Sequence, residues 1–137
     1  MTEIIQFLFN HWLLSSSFAI LLILLIVNEF VSLSFSSNQL STQQAVQMMN
    51  HHQAIFVDIR DPESFKRGHV VGAMNAPEKQ ASLLNKYKLK IIILACENGL
   101  LSPKLVKQLR AEGFEKIHFL MGGIQAWKKE GLPLVQK

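Results

Sequence analysis

The only cysteine of the chain, Cys96, lies where an apolar run, KIIILA, gives way to a polar loop, CENGLL. The loop leads into a segment that begins Ser102-Pro103 and has the pattern of a helix N-terminus. Unpaired N–H groups at a helix N-terminus, together with the helix dipole, favour a nearby negative charge. A thiolate is such a charge, and a lowered thiol pKa makes cysteine a nucleophile near neutral pH. Cys96 is therefore a candidate catalytic nucleophile.

The loop after Cys96 is also a candidate anion-binding site. Asn98 and Gly99 allow the left-handed backbone angles with which several amides can point at one anion. The predicted anion-binding residues are Glu97, Asn98, Gly99, Leu100, Leu101 and Ser102. The anion would be a persulfide, a thiosulfate or a phosphate-like oxyanion. Position alone leaves a purely structural role for the cysteine open, because free cysteines are among the most buried residues.

Strands alternate with helices along the part of the chain that must position this loop. Three compact apolar runs, AIFVDIR, KIIILA and KIHFL, are typical of strands buried on both faces. Helix signals follow or precede them: a capping box at Ser41 and Gln44, Asp61 before Pro62, and Ser102 as the cap of the helix after the cysteine loop. Further helices are expected over residues 78–87 and over GGIQAWKKEG.

This alternation predicts the α/β fold class, with a small parallel sheet flanked by helices on both faces. Ligands of such sheets bind at the carboxyl ends of the strands. Cys96 follows the strand run KIIILA, so it is expected at that edge of the sheet.

Residues 1–35 are interpreted as a transmembrane anchor and tether, and residues 36–137 as the soluble domain. No charged side chain occurs between Glu3 and Glu29, and the apolar run over residues 4–27 exceeds the ~20 residues that a transmembrane helix needs. A secretory signal peptide would have a basic start and a small-residue cleavage site, and a buried core helix would have a polar face. This segment has none of these features, and the Ser-rich residues 31–39 are typical of a tether.

The charge is distributed unevenly along the chain. All 14 lysines and arginines occur at or after Arg60, and residues 36–137 carry them against 8 acids, a net charge of +6. This basic excess and the single unpaired cysteine favour the cytoplasmic side of the inner membrane for the soluble part of a single-pass protein. The lysines are interleaved with acids and form no stripe with aromatic residues, so the lipid bilayer is the predicted partner and nucleic acid is not.

Two motifs on either side of the cysteine loop resemble the signatures of rhodanese-like domains. The segment VDIRDPESFKRGHVVGAMNAP is similar to the first signature of that family, and MGGIQAWKKEGLP is similar to its closing signature. The resemblance covers residues 40–135. With the apolar N-terminus included, the chain resembles the membrane-anchored single-domain rhodanese-like proteins of bacteria.

The resemblance implies that Cys96 is the catalytic cysteine, which takes a sulfane sulfur from a thiosulfate-like donor and passes it as a persulfide to a thiol acceptor. The family loop commonly has glycine, arginine and serine at the places where this chain has Gly99, Leu101 and Ser102. Leucine offers no charge or N–H donor, so anion binding is expected to be weaker by about 1.5–3 kcal/mol. Glu97 adds a like charge beside the thiol, which opposes thiolate formation.

Other polar residues are expected to support the site without touching substrate. Asp58 and Arg60 are predicted to brace neighbouring loops through a salt bridge, and His69 to bond to backbone. His51, His52 and His118 lack the spacing and companions of a metal site. The sequence therefore predicts no metal and no cofactor.

The leading hypothesis is a membrane-tethered rhodanese-like domain that acts as a weak sulfurtransferase through Cys96. The alternative is a non-catalytic interaction module of the same fold that binds membrane protein partners, with Leu101 as its supporting feature. A phosphatase or arsenate reductase is a more distant alternative, because those chemistries depend even more on the missing loop arginine.

Overall fold

The computed structural model describes the backbone of residues 1–137 and the side chains of residues 1–32 and 37–137. The chain forms two compact units, Met1–Ser37 and Asn38–Lys137. The predicted tether, residues 31–39, falls partly on residues 33–36, whose side chains lie outside the described residues.

The first unit contains two helices, α1 (Thr2–Asn10) and α2 (Trp12–Ser36). The sequence predicted one helix over residues 4–27, but the backbone leaves the helical region at His11, with φ −121° and ψ 42°. Asparagine and histidine are weak helix formers, so the pair Asn10-His11 is a favourable place for this break. The hydroxyls of Ser16 and Ser17 donate to backbone carbonyls of their own helix, at 3.0 and 3.4 Å, as the sequence interpretation required.

One stretch of α2, Trp12–Ser32, is long and apolar enough to cross a membrane. It has 21 residues with a mean hydropathy of 2.2, and a helix rises about 1.5 Å per residue, so its length matches a bilayer's hydrocarbon core of about 30 Å. Signal sequences and core helices of soluble proteins share this length and composition. None of the apolar window is buried within the protein, which is unlike a core helix.

The second unit is an α/β domain, as predicted, and it is built on a five-stranded sheet. Within this sheet the strand order is β1-β6-β5-β2-β4 and every neighbouring pair is parallel. A separate antiparallel pair is formed by β3 and β7. The strands are β1 (Gln39–Leu40), β2 (Ile55–Asp58), β3 (His69–Val70), β4 (Met74–Asn75), β5 (Ile92–Ala95), β6 (Ile117–Leu120) and β7 (Leu134–Val135).

The helices of this unit begin largely where the sequence signals predicted. The capping box of Ser41 and Gln44 is present, and the carboxylate of Asp61 accepts the N–H of Ser64 at the start of the next helix. Residues 78–87 form a 3-10 helix with a kink at Gln80. The helices are α3 (Thr42–His51), α4 (Pro62–Arg67), the 3-10 helix (Glu78–Tyr87), α5 (Ser102–Ala111) and α6 (Gly123–Lys129).

Two apolar clusters cover the two faces of the sheet. On one face, Leu94 packs with side chains of α5 and the 3-10 helix, including Leu109 and Leu84. On the other face, Ile93 packs with side chains of α3 and α6, including Ala45 and Trp127. Successive residues of a strand point to opposite faces, which is why neighbours in β5 belong to different clusters. The central strands are therefore buried between two packed layers, which position the loops that leave their carboxyl ends.

The register of the two central strands determines which loops meet. Asp58 at the end of β2 lies opposite Ala95 at the end of β5, and the N–H of Ile59 donates to the carbonyl of Ala95 at 2.9 Å. The segments that leave these strands start side by side. Arg60 is thereby brought next to the loop that begins at Cys96.

Candidate functional site

Cys96 is the first residue after β5, and its sulfur faces the turn that follows. The residue is buried, with 2% of its surface exposed, and it belongs both to the apolar cluster under α5 and to the lining of an open pocket. The N–H of Gly99 donates to Sγ of Cys96 at 3.1 Å. The sulfur therefore lies between packed side chains on one side and backbone amides on the other.

The pKa of the Cys96 thiol is lowered from its usual value. Burial raises this pKa, but the hydroxyl of Ser102 and the backbone N–H groups of Ser102, Leu101 and Gly99 together lower it by more, because each donor stabilises the thiolate. The thiolate thus forms at a lower pH than it does in an ordinary cysteine, which is the state that attacks sulfur or carbon electrophiles.

Ser102 is not the helix cap that the sequence predicted. The N-cap position of α5 is Leu101, which has no side-chain hydrogen bond, and Ser102 is the first helical residue. The Ser102 hydroxyl is fully buried and makes no hydrogen bond of standard geometry within the described residues, although it lies close enough to Cys96 to stabilise the thiolate. A buried hydroxyl without a partner is costly, and a thiolate at Cys96 would supply the missing acceptor.

The glycine of the loop permits a close approach to α6. Gly99 has φ +83°, and a Cβ on it would lie 2.8 Å from the backbone nitrogen of Gly122. Within the turn, the side-chain oxygen of Asn98 accepts the N–H of Leu100 at 3.2 Å. The tight turn brings the amides of Gly99, Leu101 and Ser102 towards the sulfur.

The start of α6 holds the cysteine loop from the other side. The N–H groups of Ile124 and Gln125 donate to the carbonyls of Cys96 and Glu97, at 2.9 and 3.0 Å. Gly123, with φ +62°, lies so close that a Cβ on it would overlap the carbonyl oxygen of Cys96. The carbonyls of Cys96 and Glu97 thus point towards α6. The N–H groups of the loop residues that follow, such as Gly99, are left to point towards Sγ of Cys96.

Arg60 links three segments around the site. Its guanidinium makes a bidentate contact with the buried carboxylate of Asp58, with Nη2 to Oδ2 at 2.8 Å. It also donates to the carbonyl of Gly68 at 2.6 Å and to the carboxylate of Glu97 at 3.0 Å. The predicted salt bridge between Asp58 and Arg60 is present, and Glu97 is a third member that the sequence analysis did not connect with it.

The pocket beside Cys96 has a volume of about 650 Å³. Of the residues singled out by the sequence analysis, Cys96, Glu97, Leu101 and Arg60 line it, whereas Asn98, Gly99, Leu100, Ser102, Asp58 and His69 do not. His69 is buried, stacks on the ring of Phe65 at 3.9 Å and bonds through Nδ1 to the carbonyl of that residue. Leu101, the position at which the resemblance led us to expect an arginine, is 57% exposed.

Several residues at the site were not found by sequence reasoning. Ile59, Asp61, Ser64, Gly68, Arg67 and Lys128 complete the pocket lining. Arg67 ends α4 and Lys128 lies in the last turn of α6. Lys66 and Lys129 beside them are also basic, so no local pattern distinguishes Arg67 and Lys128, and only the tertiary fold brings them to the pocket that Cys96 lines.

Comparisons with known proteins agree with this fold. The sequence model of the rhodanese-like domain family matches residues 41–130. YibN of Escherichia coli strain K12 is 30% identical over 141 residues, which cover 99% of this chain and 99% of that protein. The similarity to YibN therefore includes the apolar N-terminal unit.

Two further matches cover mainly the second unit. The thiosulfate sulfurtransferase GlpE of Shewanella oneidensis is 34% identical over 94 residues, which cover 67% of this chain and 93% of that protein. The solution structure of the rhodanese-like domain of Alr3790 from Anabaena superposes with a TM-score of 0.66 at 25% identity, covering 73% of this chain and 80% of that one.

Proposed function

The chain belongs to the rhodanese-like domain family, and we propose that it is a sulfurtransferase that carries sulfane sulfur as a persulfide on Cys96. The observation that carries the proposal is the N–H of Gly99 held 3.1 Å from Sγ of Cys96 at the edge of an open pocket. Amides aimed at the sulfur stabilise the attacking thiolate and the persulfide anion that replaces it. The similarity to a thiosulfate sulfurtransferase over 67% of the chain supports the same reaction class.

In the first half-reaction, the Cys96 thiolate attacks the sulfane sulfur of thiosulfate. A new S–S bond forms to Sγ, the S–S bond of the donor breaks, and its electron pair leaves with sulfite. In the second half-reaction, a thiolate of a small molecule or protein attacks the outer sulfur of the Cys96 persulfide. The electron pair of that bond returns to Sγ, so the acceptor gains the sulfur and Cys96 is again a thiolate.

Transfer from thiosulfate is expected to be slow in this chain. The loop lacks the arginine of the family pattern, and the side chain at that position, Leu101, brings no charge to the anion. Losing one charge-assisted contact weakens binding by about 1.5–3 kcal/mol, a factor of roughly 10–100. The amides of the turn remain as the principal anion donors.

Residues 1–35 are proposed to anchor the protein in the inner membrane, with residues 36–137 on the cytoplasmic side. The length and hydropathy of Trp12–Ser32 support the anchor, and the +6 charge of residues 36–137 supports the orientation, because the cytoplasmic leaflet carries anionic lipids. A reducing compartment would keep the single cysteine as a thiol. A sulfur donor dissolved in the cytoplasm and a protein thiol acceptor are the partners that this arrangement favours.

Intact-mass measurement of the full chain tests the catalytic proposal directly. Treatment with thiosulfate or polysulfide should add about 32 Da, the mass of one sulfur atom, and a thiol reductant should remove it. Cys96 is the only cysteine, so the Cys96→Ala variant is a complete control. Equal sulfur transfer by the wild type and Cys96→Ala in an assay with thiosulfate and a thiol acceptor would refute the proposal.

A second candidate is a non-catalytic module that binds membrane protein partners. It is favoured by two adjacent exposed leucines of the cysteine loop, Leu100 and Leu101, which are 75% and 57% exposed, because adjoining exposed apolar side chains can form a contact surface. If no sulfur is gained at Cys96 and crosslinking retains the same membrane proteins in the Cys96→Ala variant, this second function replaces the first.

A further inference from the structure

Besides Arg60, two cationic side chains line the pocket. They are Arg67 and Lys128, both exposed. Lys128 forms no salt bridge with a carboxylate among the described residues. The guanidinium of Arg67 donates to the hydroxyl of Ser64 at 3.1 Å. The carboxylate of Asp61 lies close enough to Arg67 to interact with its positive charge, but the hydrogen bonds that this carboxylate accepts come from Ser64.

The third cationic side chain of the pocket, Arg60, already has protein partners. Arg60 donates to Asp58, Gly68 and Glu97. Its charge is balanced by two carboxylates, and its donors are directed at protein groups. Positive charge for a ligand must therefore come from Arg67 and Lys128.

Lys128 lies on α6, the helix that also holds the cysteine loop. The N–H of Ile124 in the first turn donates to the carbonyl of Cys96, and Lys128 in the last turn lines the pocket. The next residue, Lys129, does not line the pocket. The two adjacent lysines thus differ in whether they line the pocket, which makes Lys129 a matched control for Lys128.

The pocket is larger than a thiosulfate ion needs, and its available positive charges lie outside the cysteine loop. Its volume of about 650 Å³ lies in the range of ~300–1,000 Å³ that is common for sites of larger organic ligands. The sulfonate oxygens of thiosulfate carry part of its negative charge next to the transferred sulfur, and the loop position at which the family pattern has an arginine for such an anion holds Leu101. The available cations instead lie on α4 and α6, outside the loop that surrounds Cys96.

Resting on the sulfurtransferase function proposed above, we propose that the preferred donor is the persulfide of a small thiol that carries carboxylates, bound through those carboxylates by Arg67 and Lys128. The Cys96 thiolate attacks the outer sulfur of the donor, R–S–SH. An S–S bond forms to Sγ, the S–S bond of the donor breaks, and its electron pair leaves on the inner sulfur as the thiolate R–S⁻. Cys96 keeps the transferred sulfur and its proton as a persulfide.

The kinetic test uses the full chain in detergent micelles with two donors, glutathione persulfide and thiosulfate. For each protein, the ratio of kcat/KM for glutathione persulfide to kcat/KM for thiosulfate is measured. Lys128→Met should lower this ratio about three- to fivefold, and the double variant with Arg67→Met about tenfold or more, because each exposed charge contact contributes modestly. Lys129→Met removes the same charge from the same helix and should keep the wild-type ratio.

A binding measurement separates this proposal from the sulfurtransferase function. S-Methylglutathione has the carboxylates but no transferable sulfur, and calorimetry should give a weaker Kd in Lys128→Met than in Lys129→Met, with a difference that shrinks as salt is raised. Equal affinities, or an unchanged donor ratio in an active double variant, would overturn the donor proposal alone. Absence of sulfur transfer from both donors to the wild type, with Lys128-dependent binding kept, would overturn the sulfurtransferase function and leave a carboxylate-binding site.

Discussion

The guanidinium of Arg60 holds the carboxylate of Glu97 at 3.0 Å, directly beside the residue that carries the reactive sulfur. Sequence reasoning placed Glu97 in the anion-binding loop and treated its side chain as a negative charge that opposes thiolate formation. In the folded chain this charge is paired, and its partner is the arginine that also neutralises Asp58. The end of β2 and the cysteine loop after β5 are thereby joined by one side chain.

The two carboxylate partners of Arg60 should contribute unequally to stability. The side chain of Asp58 is fully buried and that of Arg60 is 6% exposed, whereas 46% of the Glu97 side chain is exposed. Arg60→Met leaves a buried carboxylate without its partner and should lower the free energy of unfolding by about 3–5 kcal/mol. Glu97→Gln should cost no more than about 1 kcal/mol.

Urea unfolding of the full chain in micelles measures both values. Similar losses for the two variants would contradict this ranking and would indicate that the contact of Glu97 with Arg60 is as strongly coupled to folding as the buried ion pair.

The pH dependence of Cys96 alkylation should show which groups donate hydrogen bonds to its sulfur. Alkylation requires the thiolate, so its rate rises with pH around the pKa of the thiol. Because the pKa of Cys96 is lowered, the midpoint should lie below that of an ordinary cysteine. Ser102→Ala removes a donor that stabilises the thiolate, so the pKa of Cys96 and the midpoint should both move to higher pH.

Iodoacetamide labelling followed by intact mass gives these midpoints. Ser64→Ala is the control, because its hydroxyl lines the same pocket but donates to Asp61. A midpoint that is the same in wild type and Ser102→Ala would show that the buried hydroxyl does not act on the sulfur.

A methyl group at Gly123 should disturb the cysteine loop specifically. Gly123 and Gly131 both have positive φ, +62° and +69°, but a Cβ would overlap the Cys96 carbonyl at Gly123 and meets nothing within 4 Å at Gly131. Gly131→Ala should cost about 1–2 kcal/mol for the left-handed backbone alone. Gly123→Ala should cost a further ~1–3 kcal/mol from overpacking and should slow sulfur transfer.

Urea unfolding and the thiosulfate assay on both alanine variants measure these effects. If Gly131→Ala slows transfer as much as Gly123→Ala does, the contact between α6 and the loop is not what positions Cys96.

Local signals explain why much of the domain could be predicted. The capping box at Ser41, the Asp61 cap before Pro62 and the buried runs of β2, β5 and β6 act over a few residues, and the structure has each of them. The α/β class and the place of Cys96 after β5 follow from their order. Two-residue strands such as β1 and β7 carry no periodicity, so their pairing was not predicted.

The remaining parts of the site depend on contacts between distant segments. The approach of Gly123 to Cys96 and the pairing of Arg60 with Glu97 are set by how α6 and β2 pack against β5. The assignment of Ser102 as a cap failed because the helix begins one residue earlier than its Ser-Pro signal indicates, and tertiary packing buries the hydroxyl towards the sulfur. Such features have no signature in a short window of sequence.

A charge in the middle of α2 should weaken membrane association if this helix spans the bilayer. Leu22 lies at the centre of Trp12–Ser32, and its side chain is exposed. Leu22→Arg should make insertion less favourable by about 2.5–3.5 kcal/mol, whereas Leu22→Ala keeps the segment apolar. Carbonate extraction of membranes should release more of the arginine variant than of the alanine variant, and equal retention would argue against a spanning helix.

Restoring the arginine of the family pattern should improve the use of thiosulfate. Leu101 is 57% exposed and lines the pocket with Cys96, so a longer side chain can project into solvent there without displacing the core. Leu101→Arg adds planar N–H donors and a fixed charge beside the anion. The gain of one charge-assisted contact should lower the KM for thiosulfate roughly 10- to 100-fold. Leu101→Met, which keeps the site uncharged, should leave KM near its wild-type value, and initial-rate kinetics with both variants distinguish charge from side-chain length. An arginine variant with unchanged KM would mean that the amides of Gly99, Leu101 and Ser102 already hold the anion as strongly as this loop allows.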